Sequence, residues 1–272
     1  QPLYTAGGAT LAHDLALHAF YPIPAAELAS VVAELRALSR LQDAPAGAPL
    51  SVSPALAAAE PPADYAPRLR ALVSAYARWD RLVKLTVFGQ NARSAAFAWI
   101  FRGVEVRGGI ASERIVIPGI AAPAQDVLLA GGDTIYTTEP LADAPPGFAI
   151  ALNGALFASA TAAERMGALE ALTELQNPAR HDANDAQCMS CHVATFLTAR
   201  RSATTGVDPA ALPGRFDAPY NLTVDTIAAR DGRVLRALGW ASSFPAISQR
   251  VANETAQVLG ELERRFPSTS AE

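Results

Sequence analysis

The run Val104-Glu105-Val106-Arg107-Gly108-Gly109 alternates apolar with charged side chains and then breaks at two glycines. Residues two apart share one face of a strand, so both valines face one way and both charges the other. A Gly-Gly pair suits a tight hairpin, whose two central residues need positive φ. The alternation extends outward and predicts strands near 82–88, 96–107, 113–117, 126–130, 134–138 and 148–152. Gly108-Gly109, Gly131-Gly132 and Pro145-Pro146-Gly147 supply the turns, and an antiparallel sheet is the simplest arrangement.

Helical periods flank this region. Leu28, Val31, Val32, Leu35 and Leu38 recur at three- and four-residue steps and predict an amphipathic helix over 25–40. Residues 43–67 carry six prolines among many alanines, a composition that propagates neither a helix nor a central strand, and read as a linker or long surface loop. Pro67 suits a first helical turn, and Leu69, Leu72, Val73 and Tyr76 continue that helix to about Trp79. After Asn153-Gly154 the helical period returns. Thr161 and Glu164 form a T-x-x-E capping box ahead of Leu169, Leu172 and Leu175, and Asn177-Pro178 ends that helix. Further on, Gly206 opens a loop, Asp231 caps a short helix ending at Gly239, and Ile247, Val251, Val258, Leu262 and Phe266 mark a long last one. The fold class expected is α+β. N-terminal helices and an antiparallel sheet occupy residues 1–153, and a mainly helical part occupies 154–272.

That second part holds the only two cysteines. Cys188-Met189-Ser190-Cys191-His192 reads C-x-x-C-H, the attachment signature of a c-type haem. The chemistry needs this spacing, because each thiol adds across one vinyl group of a porphyrin while the adjoining imidazole binds the iron. A dithiol redox motif is the next competitor, but it wants a strand feeding the helix, and nothing before Gln187 reads as one. A structural zinc site wants four ligands, and the chain offers two thiols. The cofactor expected is one covalent haem c, held by Cys188 and Cys191 with His192 as the proximal iron ligand, in a protein of the monohaem c-type cytochrome class.

Composition bounds the rest. Half of the 272 residues are apolar, enough for a sizeable core. The net charge of −4 is spread out, which argues against nucleic acid and anionic membrane surfaces as partners. No run of eighteen apolar residues spans a membrane. Haem c is attached outside the cytoplasm and residue 1 is Gln, so a removed signal peptide or lipoprotein leader is expected, with a lipid anchor as an option. The location expected is periplasmic, outer-surface or extracellular in a bacterium.

The distal ligand is restricted, because no His or Met follows His192. The small cytochromes c place a ligating Met downstream of the motif, and this chain departs from that pattern. The upstream candidates are His181, Met166, His13 and His18, with Met189 pinned too close to the porphyrin edge. His13 and His18, five apart, would lie on different faces of a helix. Met166 has a plain reading as a flexible core residue. His181 precedes Cys188 by seven residues, and an extended connection spans roughly 20 Å at about 3.3 Å per residue, enough to round a porphyrin edge. Its spacing resembles that of the class III, bis-histidine cytochromes, over about a dozen residues. The resemblance implies a His181 distal ligand and extends to neither their small size nor their several haems.

Phe196, Phe216, Tyr220, Trp240 and Phe244 are candidates to wall the pocket or to serve as plain core. Arg180, Arg200 and Arg201 are candidates to meet haem propionates or to form a solvated face. The function expected is electron transfer with a redox protein as donor or acceptor. An enzyme or sensor with an open iron, for peroxide or nitric oxide, is the alternative; another is a partner-binding module with an accessory haem. The open-iron haem c proteins built on a β-sheet resemble this chain in element order only. Residues 1–153 carry no recognisable catalytic motif.

Overall fold

The computed structural model describes residues 1–13, 15–41, 55, 58, 60–91, 98–114, 124–128, 135–136, 147–182, 188–217, 238–241 and 244–267, some positions by backbone alone. The fold is α+β, with antiparallel sheets and several helices. Among the described residues, no helix is long and apolar enough to cross a membrane.

The chain opens with a hairpin that the periodic reading passes over. Strands β1 (Leu3–Ala6) and β2 (Ala9–Ala12) pair antiparallel across Gly7-Gly8. The main sheet follows: β3 (Leu15–Phe20), β4 (Lys84–Asn91), β5 (Ala98–Arg107), β6 (Ile110–Arg114), β7 (Ala124–Leu128) and β8 (Ile135–Tyr136). Its order is β3-β4-β5-β7-β8, with β6 also on β5, and every pairing is antiparallel. The hairpin read from the sequence is present. Arg107 pairs with Ile110 across Gly108-Gly109, whose φ values are 58° and 77°. The turns at Gly131-Gly132 and Pro145-Pro146 lie outside the described residues.

Helices α1 (Ala25–Ser39) and α2 (Tyr65–Tyr76) match the two periodic stretches. They share a small cluster of Leu38, Ala55 and Tyr65, with Leu41, Leu69 and Leu72 packed against it. Leu35 and Val73, expected on the buried stripes, are instead exposed at 45% and 53%. Most of the proline-rich segment 43–67 lies outside the described residues.

The helical part comprises α3 (Phe148–Leu152), α4 (Gly154–Ser159), α5 (Ala162–Leu175), α6 (Cys188–Thr205) and α7 (Gln249–Arg265). Residues 148–152 are helical, which corrects the strand expected there. The run Phe-Ala-Ile-Ala-Leu alternates in size, but Phe148, Ala151 and Leu152 are buried at i, i+3 and i+4, so it satisfies the helical period as well. The Thr161–Glu164 capping box forms with both reciprocal bonds. Two further expectations fail at the end of the chain. Gly239 belongs to β9 (Leu238–Ala241), paired with β10 (Phe244–Ile247), so no helix ends there, and Asp231 lies outside the described residues. Ile247 closes β10, and Ser248 caps α7 by accepting from the Val251 amide.

One core joins the sheet to these helices. Ala16 and Phe88, directly opposed on β3 and β4, lie in a cluster with Phe148, Ala151, Leu152, Phe157, Ala168, Ala171, Leu172, Leu175, Val193, Ala194, Phe196 and Leu197. Leu169, Leu172, Val193 and Leu197 expose nothing, so α5 and α6 form the centre of the molecule.

Candidate functional site

Cys188 begins α6 and Cys191 and His192 stand in the turn that follows, so the whole motif is helical. Residues at i, i+3 and i+4 lie on one helical face. The side chains of Cys188, Met189 and His192 lie outside the described set. Cys191 is half-buried and packs against the main core. Its Sγ stands 3.8 Å from the carbonyl oxygen of Leu175, the last residue of α5, within reach of a weak S–H···O contact.

A buried polar network fixes this corner. Gln176 donates from Nε2 to the Leu172 carbonyl and to Thr198 Oγ1, each at 3.0 Å, and its Oε1 accepts from Thr195 Oγ1 at 3.0 Å. Thr195 Oγ1 accepts in turn from the Gln249 amide at 2.9 Å, and Asn253 Nδ2 donates to the Gln176 carbonyl at 2.7 Å. Arg250, 6% exposed, donates from Nη1 to the Leu175 carbonyl at 3.2 Å, the same oxygen that faces Cys191. α5, α6 and the first turn of α7 are thereby tied together within one turn of the cysteines. Sequence reading missed Gln176, Arg250 and Asn253, because polar residues inside apolar periods read as solvent-facing. The stripe expected on α7 is also displaced: Arg250, Ala252 and Asn253 are its buried residues, and Val258 is 56% exposed.

His181 follows a turn at the end of α5, where the amides of Arg180 and His181 donate to the Asn177 carbonyl at 3.0 and 3.1 Å. It is half-buried. Its amide and the Cys191 sulfur therefore address carbonyls two residues apart, Asn177 and Leu175. The connection over 183–187 lies outside the described residues.

Met166 sits on α5 with 37% exposure, outside the core face, nine residues and about 14 Å of helix rise before Leu175. His13 and His18 are not on a helix, which corrects the basis on which their faces were judged. His13 is exposed beyond β2, its ring 4.4 Å from that of Tyr4. His18 lies on β3, on the sheet face that carries Ala16 and Phe88, and its ring stacks on Phe88 at 5.7 Å. Its Nδ1 shares a hydrogen bond with Thr86 Oγ1 at 3.1 Å. Desolvation against this face, and then the positive chain terminus, pushes its imidazole below the ordinary histidine range.

The arginines divide by environment. Arg201 is 4% exposed, donates from Nε to the Ala151 carbonyl at 3.1 Å and lies over the Phe157 ring, so it braces α3 and α4. Arg180 is exposed. Arg200 lines a groove of about 740 Å³ with Phe196, Ala199, Ala203 and the turn at 206–209. Positions 192, 196, 199, 200 and 203 recur at helical steps, so the groove continues the stripe on which position 192 falls. Phe216 is half-buried, Tyr220 lies outside the described residues, and Trp240 and Phe244 belong to the β9–β10 hairpin.

Comparison with protein-family models, with curated proteins and with solved structures found no match for this chain.

Proposed function

We propose that this chain is an extracytoplasmic electron-transfer protein of the monohaem c-type cytochrome class, with haem c attached through Cys188 and Cys191, His192 as proximal ligand and His181 as distal ligand. The observation that carries this reading is that positions 188, 191 and 192 of C-x-x-C-H fall at i, i+3 and i+4 in the first turns of α6. Two cysteines and one histidine at those positions are the donor set that a vinyl-bearing porphyrin takes, so the residue types fit the group. When bound, the group supplies a one-electron iron couple.

The chain's own residues do the rest. The Leu175 carbonyl meets the sulfur of Cys191 at the edge of the core, and the Gln176 network beside it ties α5 to α6. Phe196 and Ala199 offer an apolar wall along the groove, and Arg200 brings to it a cation suited to a propionate. His181 starts from the same end of α5 that Cys191 faces, which favours it over Met166 as the second ligand. Two imidazoles leave no open iron site, and that favours a carrier with a protein redox partner over a catalyst.

Absorption spectra of the protein from cells that attach haem c test this reading. A low-spin spectrum in both oxidation states, without carbon monoxide binding, is expected; a high-spin iron that binds carbon monoxide would replace the carrier by an enzyme or sensor. A dithiol centre is the second reading, favoured by the position of both cysteines at a helix N-terminus, where catalytic dithiols stand. Reversible disulfide formation in a haem-free protein would establish it.

A further inference from the structure

Arg250 stands in the first turn of α7, behind the motif. Its side chain is 7% exposed, and its Nη1 donates to the carbonyl oxygen of Leu175 at 3.2 Å. The Cys191 Sγ meets that oxygen at 3.8 Å, so a guanidinium and a haem-attachment sulfur converge on a single atom. The neighbouring anion is Glu254, one turn along α7, with its carboxylate 2.6 Å from Arg250 Nε and its side chain 48% exposed. Water screens the carboxylate far more than the guanidinium, so the pair is electrically lopsided toward the core. Arg250 thus reaches past its carboxylate partner to the last carbonyl of α5, at the back of the motif.

We propose that Arg250 is a positioning and tuning residue for the haem centre, which rests on the reading above. Through the Leu175 carbonyl it fixes the Cys191 side of the attachment. Its buried positive charge disfavours the ferric state, whose iron carries one more positive charge than the ferrous state, and so raises the reduction potential. Glu254 partly offsets that effect. The role depends on the positive charge of the guanidinium.

Redox titration of the holoprotein and its variants tests this. In Arg250→Gln the potential falls, so that at the wild-type midpoint the ferric-to-ferrous ratio rises from one to at least about three; a tenfold change corresponds to about 59 mV for a one-electron couple. In Glu254→Gln the offsetting carboxylate is gone and the potential rises. Arg250→Lys keeps the charge and stays near wild type. A purely structural role for Arg250 lowers thermal stability without producing opposite shifts in the two neutralised variants. Should Arg250→Gln not fold, the exposed Glu254→Gln carries the test alone. Haem present with potentials unmoved in both neutralised variants overturns this inference only, whereas wild-type protein without covalent haem overturns the parent reading and this one with it.

Discussion

Thr195 donates its hydroxyl to Gln176 Oε1 at 3.0 Å, one turn beyond Cys191, and both residues are buried. This bond is the centre of the network that joins α5 to α6 and α7. Gln176→Leu keeps much of the volume but strips the Thr195 and Thr198 hydroxyls of their glutamine partner. A loss of about 1–3 kcal/mol in urea unfolding is expected. Thr195→Val beside it should add less than its own separate cost, because the two share one network.

Gly147 precedes α3 with φ 93°, and a Cβ there would meet the Gly167 oxygen at 2.8 Å and the Ala168 nitrogen at 2.9 Å. Neither backbone atom can swing away. Gly147→Ala combines left-handed strain with a clash and should cost at least about 2 kcal/mol. Gly167→Ala is the control: nothing lies within 4 Å of its Cβ, the site is helical, and a gain of up to about 1 kcal/mol is expected. Chemical denaturation of the two variants measures the contrast.

Glu164 accepts from the Thr161 amide and hydroxyl, both at 2.8 Å, and those bonds hold its carboxyl below the ordinary glutamate range. A lowered folded-state pKa contributes stability that is complete above the unfolded-state value and is lost as pH falls through the folded-state value. Melting temperature should therefore drop across and below the ordinary glutamate range. Glu164→Gln should flatten that part of the profile, with little change in slope at neutral pH.

The candidate ligands separate by spectroscopy. If His181 is the distal ligand as proposed, His181→Ala should give a high-spin iron or another ligand in place of a low-spin one, with carbon monoxide binding gained. His18→Ala, which removes the imidazole stacked on Phe88, should leave the spectrum unchanged. A low-spin spectrum kept in His181→Ala and lost in His18→Ala would reverse the assignment.

The main elements were legible where period and punctuation agreed. α1, α2 and the T-x-x-E start of α5 lie within a few residues of the expected limits, and Gly108-Gly109 turns where two positive φ values are needed. The same signal at Gly7-Gly8 passed unread, because the flanking strands are short and mostly exposed and lack apolar alternation. Phe148–Leu152 satisfies both periods over five residues, and its burial against α5 decides for helix. At the candidate site, the Cys188-x-x-Cys191-His192 spacing was legible because it is local in sequence, and its three positions fall at the start of α6. Arg250 and Gln176 were invisible, because their role comes from the groups they reach across the fold, the Leu175 carbonyl for Arg250 and the Thr195 and Thr198 hydroxyls for Gln176, and no local pattern encodes that reach.

The most direct test is the haem itself. Express the chain in cells equipped to attach haem c, extract it with acidified acetone, and record a pyridine haemochrome spectrum on the protein and on Cys188→Ser and Cys191→Ser. Attachment through both sulfurs predicts one haem per chain that stays with the unmutated protein, and impaired retention in each variant. A colourless, iron-free protein, or full retention in both variants, would contradict it.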